Sequence, residues 1–365
     1  MSTARPTVFA WITGQQTNIG DSLLRRPYLR LLSRLGVVDV WVRDASDEFI
    51  TGLDVPSTAR ISRSFIAWWT RALMSSLRRP TTVAINAGEA PDGRGAVVAA
   101  FALTLLSRIA RARGGFSLWL GGSVPAGRSV SAKRAYSALA SSTSVLSWRE
   151  PVSQRSSGRG RIQPDWAFTE ASASVQPDGP ARTTLAIVLR GDRTAPSEEW
   201  LRWVRTLISD HKLTVTTVVQ VEQDHERAHE IARALGGSCV EWPPGASHAE
   251  QEARVRDLYR GCRVVIGDRL HGLVVAATEG AIPLGWVPSS GGKIDAHFAP
   301  LGLTWVSEHE GSPAEHLPTV TPDDLDDYTR QVSKAIGQAR VTLSSLSDEI
   351  VHLVAHRSSD GEDRP

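Results

Sequence analysis

Val264-Val265-Ile266 is a short apolar run of β-branched residues closed by Gly267. Such a run suits a strand buried on both faces, the kind found in parallel sheets. Leu270 to Thr278 follows with apolar residues at helical spacing and stops near Gly280. Ile282 to Val287 then reads as the next strand. Strand, turn, helix, strand is the unit of a parallel α/β fold.

The turn holds Asp268, Arg269 and His271. Ligands of α/β proteins bind where a turn leaves the carboxyl end of a strand and opens a helix. The first N–H groups of that helix point outward and favour an anion. The dipole contributes only about 0.3–1 kcal/mol, and an arginine fork adds charge-assisted bonds. His271 can exchange a proton near neutral pH. The alternative from these residues alone is an Arg269–Asp268 surface pair with His271 capping a helix.

A chain of 365 residues suits two ordinary domains, and 41% hydrophobic residues can fill a core in each. The formal charge of +2 gives no sign of nucleic-acid coating. Cys239 and Cys262 are too few for a disulfide framework and lack metal-ligand spacing, so a reducing, cytoplasmic setting and no metal are expected. The sequence shows no run of about 18 apolar residues, and residues 1–6 are too short and polar for a signal peptide. Four lysines stand among 41 basic residues, which draws attention to Lys293, since arginine cannot mimic its compact ammonium.

In chain order, Thr7 to Thr13 reads as a strand. The turn Asn18-Ile19-Gly20-Asp21 follows, with Asp21 or Ser22 the expected N-cap of a helix. The dinucleotide fingerprint G-x-G-x-x-G is missing, which argues against a nicotinamide enzyme. Ser64 to Arg79 is expected as a helix. Its Trp68 and Trp69, beside Arg71, Arg78 and Arg79, read either as an interfacial membrane patch or as an ordinary core face with a basic rim. Glu89 and Asp92 lie in a loop after the strand Thr81 to Asn86, as candidate bases, sugar ligands or helix caps. Gly121-Gly122 ends another strand, either for close backbone approach to a ligand or for a tight turn. The Ala-, Ser- and Pro-rich stretch 171–182 reads as a linker between domains 1–170 and 183–320. In the second domain Arg190 ends the strand Thr183 to Leu189, placing it at the same sheet edge as Arg269. Thr321-Pro322-Asp323-Asp324 starts a long helix, 321–357, and 358–365 reads as a disordered tail.

Taken together, these motifs resemble the polysaccharide pyruvyltransferase family. The resemblance rests on the N-x-G-D turn Asn18 to Asp21, the loop ending in Asp92, Arg149-Glu150 with Ser153, Pro164-Asp165, Arg190 ending its strand, Asp268-Arg269-Leu270-His271, and Pro283 with Lys293. The glycine run usual in the family is lost at Ala87 to Ala90. The resemblance implies a GT-B-like fold: two Rossmann-like domains with parallel sheets facing across a cleft, and a last helix packing back on the first domain. It implies phosphoenolpyruvate (PEP) as donor and co-substrate, no cofactor, and a pyruvate ketal on a sugar of a cell-surface polysaccharide or glycolipid.

On that resemblance Arg190, Arg269 and His271 hold or activate the donor; Leu270 and Lys293 are further donor-binding candidates, and the proton near pH 7 makes His271 the expected general acid. Asp92, or else Glu89, is the expected base on the acceptor. Asn18, Asp21, Glu89, Gly121 and Gly122 are acceptor-side or loop candidates. The expected partners are PEP and a glycan or lipid-linked sugar, with a peripheral contact at the inner membrane face if the acceptor is lipid-linked. Two rival readings are a GT-B glycosyltransferase using a nucleotide sugar and a non-catalytic glycan-binding homologue.

Overall fold

The computed structural model describes residues 6–170, 182–287, 292–307, 309–310 and 320–360. The expected linker 171–182 lies outside them except for Arg182, and the expected tail lies outside them from residue 361.

The first sheet is wound from β1 (Thr7–Trp11), α1 (Ile19–Leu35), β2 (Val37–Trp41), α2 (Asp47–Gly52), β3 (Arg60–Ser62), α3 (Phe65–Arg78), β4 (Thr82–Ile85), β5 (Gly88–Glu89), α4 (Arg94–Ala112), β6 (Phe116–Ser123), α5 (Val130–Ser142), β7 (Val145–Trp148), α6 (Pro151–Ser157) and β8 (Arg161–Ile162). Its strands are parallel in the order β3-β2-β1-β4-β6-β7-β8, with β5 paired to the end of β6. The α3–α4–α5 layer closes over a core of Trp68, Ala72, Leu103, Leu106, Trp119 and Leu139. Each large side chain fully buried there contributes about 1.5–3 kcal/mol. The indoles also meet their polar need. Trp68 donates to Asp39 O at 3.0 Å and Trp119 to Asn86 O at 3.1 Å. Trp68 is therefore core, and half-buried Trp69 packs against the same core and donates to Ala102 O at 3.0 Å.

The second sheet comes from β9 (Thr184–Val188), α7 (Glu198–Asp210), β10 (Thr214–Val218), α8 (His225–Leu235), β11 (Ser238–Val240), α9 (His248–Gly261), β12 (Cys262–Gly267), α10 (Leu270–Thr278), β13 (Ile282–Val287), α11 (Lys293–Phe298) and β14 (His309–Glu310), before the final helix α12 (Pro322–Asp360). It is parallel in the order β11-β10-β9-β12-β13-β14. In both sheets the winding reverses beside the first strand, between β1 and β4 and between β9 and β12. Crevices at such reversals are where open α/β sheets bind ligands.

The compact units divide the chain differently from the expected 1–170 and 183–320. Gln16–Gly20 belongs to the second unit although it lies between β1 and α1, and the second unit begins again at Ala167. The end of α12, from Thr342, belongs to the first unit. There Asp348 accepts from Arg34 at 2.7 Å and Glu349 from Arg161 at 2.8 Å. The short elements α2, β3, β5 and α11 escape a sequence reading because each is too brief to show a period.

Candidate functional site

The β9/β12 reversal gathers Asp192, Asp224 and Asp268 with Arg190, Arg193 and Arg269. The β9 and β12 backbones meet in register, Val188 beside Gly267. A Cβ on Gly267 would lie 2.5 Å from Val188 O, so only glycine lets the strands end this close. Asp268 follows, and its N–H donates to Val188 O at 3.2 Å. Its buried carboxylate accepts from the Arg190 backbone N–H at 2.8 Å and from Arg193 at 3.2 Å. Burial pushes the Asp268 carboxyl up, against the pull of the Arg190 N–H and the arginines around it. Asp268 thus ties the two loops together.

Arg269 forks onto Asp224, Nε to Oδ2 at 2.7 Å with a second bond from its other nitrogen to Oδ1. Asp224 is 1% exposed and also takes the Gly191 N–H at 2.8 Å. Arg269 is therefore aimed by a buried carboxylate. The surface pair with Asp268 does not form. Arg190 forks onto Asp192 at 2.8 and 2.6 Å. This partner differs from Asp224: its side chain is 63% exposed. The Arg190 hydrogen bonds, with Arg269 also in range, hold the Asp192 carboxyl down at about 2. One solvent-facing carboxylate thus lies in the field of both arginines expected to hold the donor.

His271 is half-buried in the first turn of α10. Among the described residues no side chain caps that helix start. The imidazole lies against Gly20, where an added Cβ would come within 2.7 Å of ring carbon Cγ. Gly20 reaches this place because Gln16–Gly20 runs along the loop after β10. Asn18 bridges Val221, the Glu222 N–H donates to Thr17 O at 3.3 Å, and buried His248 bonds Gln16 O. The Asn18 side chain takes the Gly20 N–H at 3.0 Å, capping α1 in place of Asp21 or Ser22. Asn18, an acceptor-side or loop candidate by sequence, thus lies in the second unit together with Gly20 and His271. Leu270 is buried and can offer a ligand only its backbone. Lys293 is exposed at the start of α11, after β13.

The first unit uses its candidates differently. Asp21 lies inside α1 and pairs with buried Arg25, whose Nε donates to Asn86 Oδ1 at 3.0 Å. Gly121 and Gly122 leave room for indoles: a Cβ would strike Trp166 from the first and Trp119 from the second. Side-chain packing accounts for that glycine pair. Asp92 accepts from Ser129 N, Ser129 Oγ and Gly93 N. The Ser129 and Gly93 N–H groups hold its carboxyl below the ordinary range, a poor setting for a base and a good one for a loop tie. Glu89 pairs with Arg128. Arg149 and Asp165 form a buried pair at 2.7 Å, and Glu150 takes Ser123 and Ser153 hydroxyls. Nearby, a cavity of about 240 Å³ opens between α5 and α6, lined by Lys133, Arg134, Tyr136, Ser137, Trp148 and Ser156.

Sequence alone does not mark Asp192, Arg193 or Asp224. The nearest to a signal is Asp192, in Gly-Asp-Arg straight after β9. Asp224 carries no local signal, because its role comes from β10 lying beside β9.

Residues 18–281, more than half of the chain, match the family described as Polysaccharide pyruvyl transferase. No curated protein sequence gives a significant match. Among solved structures, the chain is similar to a putative UDP-N-acetylglucosamine 2-epimerase from Listeria monocytogenes, with a TM-score of 0.56 at 11% identity, covering 92% of this chain and 91% of that one. It is also similar to the Neisseria meningitidis UDP-GlcNAc 2-epimerase, with a TM-score of 0.53 at 10% identity over 93% and 98% of the two chains. The Methanocaldococcus jannaschii UDP-GlcNAc 2-epimerase gives a TM-score of 0.53 at 10% identity over 96% and 99%. At these identities the likeness establishes the fold, which is GT-B-like.

Proposed function

The chain belongs to the polysaccharide pyruvyl transferase family, and from that premise we propose that it transfers pyruvate from PEP to two hydroxyls of a sugar, forming a cyclic ketal and releasing phosphate. The observation that carries this reading is Asp192, a carboxylate already lying in the fork of Arg190 and the field of Arg269. PEP offers a carboxylate and a phosphate close together, and such a pair suits two guanidiniums at a helix start.

In the proposed reaction the PEP methylene carbon gains a proton from His271 and becomes a methyl group. The first sugar oxygen bonds to the adjacent carbon. The phosphate C–O bond breaks, and the second sugar oxygen takes the vacated position. The two hydroxyl protons balance the one on the methyl group and the one carried off by phosphate or solvent. Arg269, and Lys293 if it turns inward, would offset charge on the departing phosphate. Asp92 fits the role of base poorly for the reason given above. Glu89 remains the carboxylate to test, freed from Arg128 when an acceptor binds. The cavity between α5 and α6, with an indole, a phenol, hydroxyls and two cations, is the proposed acceptor subsite.

A melting experiment separates this reading from use of a nucleotide sugar, the class of ligand named for the Neisseria enzyme. PEP is expected to raise the melting temperature, and Arg190→Ala to abolish the rise. A rise with UDP-GlcNAc and none with PEP would sink the assignment. Ser137→Trp, filling the cavity, is expected to raise the KM for acceptor and leave PEP binding unaltered.

A further inference from the structure

The α3–α4 pair has an outer face that the core does not explain. Ile66, Met74 and Leu77 of α3 and Val98, Phe101 and Leu105 of α4 are all exposed, Ile66 to 76% and Phe101 to 50%. The two helices are neighbours. Trp69 of α3 donates to Ala102 O of α4, and Arg113, just past α4, donates to Leu77 O. Their apolar residues therefore form one surface. Scattered exposed aliphatics need no explanation, but a contiguous patch marks a contact.

Charge says which contact. Neither helix contains an acidic residue. Arg78, Arg79, Arg108 and Arg113 are exposed at the carboxyl ends of the pair. Among the described residues, none of the four forms an ion pair. A second copy joined through the same face would set these arginines against their own counterparts. An anionic lipid surface would accept the apolar side chains and attract the arginines at once.

We propose that the outer face of α3 and α4 docks the protein on an anionic membrane surface, with Phe101, Leu105, Ile66 and Leu77 entering the interface and the arginines meeting lipid phosphates. Spanning is a different matter. The α4 helix is long and apolar enough to cross a membrane by length and composition. Its other face, Ala100, Leu103, Leu106 and Ala110, lies in the core of the first unit, so spanning would empty that core.

The test is flotation of the full chain with phosphatidylglycerol–phosphatidylcholine vesicles against pure phosphatidylcholine. The expected result is flotation with the anionic vesicles only, weakened by salt. Phe101→Ser with Leu105→Ser, and separately Arg78→Ala with Arg108→Ala, should each lower the bound fraction about tenfold. The arginine pair keeps the test open if the serine pair lowers stability. Three results would overturn the proposal: no flotation on anionic vesicles, flotation insensitive to both pairs, or a dimer in solution that Phe101→Ser converts to monomer.

Discussion

The two sheets reverse their winding in the same way, and both reversals carry arginine and aspartate, yet the two edges differ in kind. At the β1/β4 edge, Arg25 is 2% exposed and its bonds go to Asp21 and Asn86. Asn86 in turn donates to Thr13 O at 2.8 Å and accepts the Trp119 indole through its carbonyl. That network ties α1 and β6 to the loops after β1 and β4 through Arg25 and Asn86, both buried. At the β9/β12 edge, one arginine is aimed by a buried aspartate and the other is matched to an aspartate that faces solvent. A carboxylate that water can reach, a ligand carboxylate or phosphate can replace. The lesson is that charge at a sheet reversal does not by itself mark a site; replaceable partners do.

The comparison would break most visibly at His271. His271→Ala is expected to lower kcat by about two to four orders of magnitude, the usual worth of a positioned general acid, with the PEP-induced melting shift retained. Phosphate release within a few-fold of the parent would remove the imidazole from the chemistry. Gly20→Ala comes next. The new methyl group must push the imidazole aside, and a displacement of about 1 Å can cost a hundredfold in rate. If Gly20→Ala turns over normally, the imidazole is not held where catalysis needs it.

The other edge should respond in stability and not in binding. Arg25→Ala leaves Asp21 and Asn86 without their buried partner, at a cost of about 3 kcal/mol. Chemical denaturation should show that loss, and PEP titration of the remaining folded protein should give an unaltered Kd. An Arg25→Ala protein of parental stability with weakened PEP binding would reverse the roles of the two edges.

Much of this was legible beforehand. The apolar runs of β9 and β12 placed Arg190, Arg269 and His271 at one edge, because parallel strands end their loops on the same side. The buried pairs were less legible. Asp224 joins Arg269 only because β10 lies beside β9, and a strand order is not a local property. The N-x-G-D turn showed the same limit. Sequence adjacency to α1 suggested the first domain, whereas hydrogen bonds to Val221 and Glu222 carry Gln16–Gly20 into the second unit. Gly121 and Gly122 read in sequence either as a close approach to a ligand or as a tight turn, and the indoles of Trp166 and Trp119 lie where their Cβ atoms would be.

Asp192 gives the smallest and most discriminating effect. Its folded carboxyl sits at about 2, below the ordinary 3.8. A depressed carboxylate contributes stability that is present above the unfolded value and is lost as pH falls through the folded one. The Arg190–Asp192 pair is therefore complete at neutral pH and lost between about pH 4 and pH 2. At pH 7 an incoming donor must displace an ionised Asp192 from the guanidinium. Asp192→Asn removes that competitor while keeping the shape of the side chain. Exposed pairs of this kind are worth up to about 1 kcal/mol, so PEP should bind about two- to fivefold tighter. Calorimetric titration at pH 7 reads the difference directly. Tighter binding makes Asp192 a stand-in for the donor; weaker binding makes it a positioning residue for Arg190, and the two edges would then differ in exposure alone.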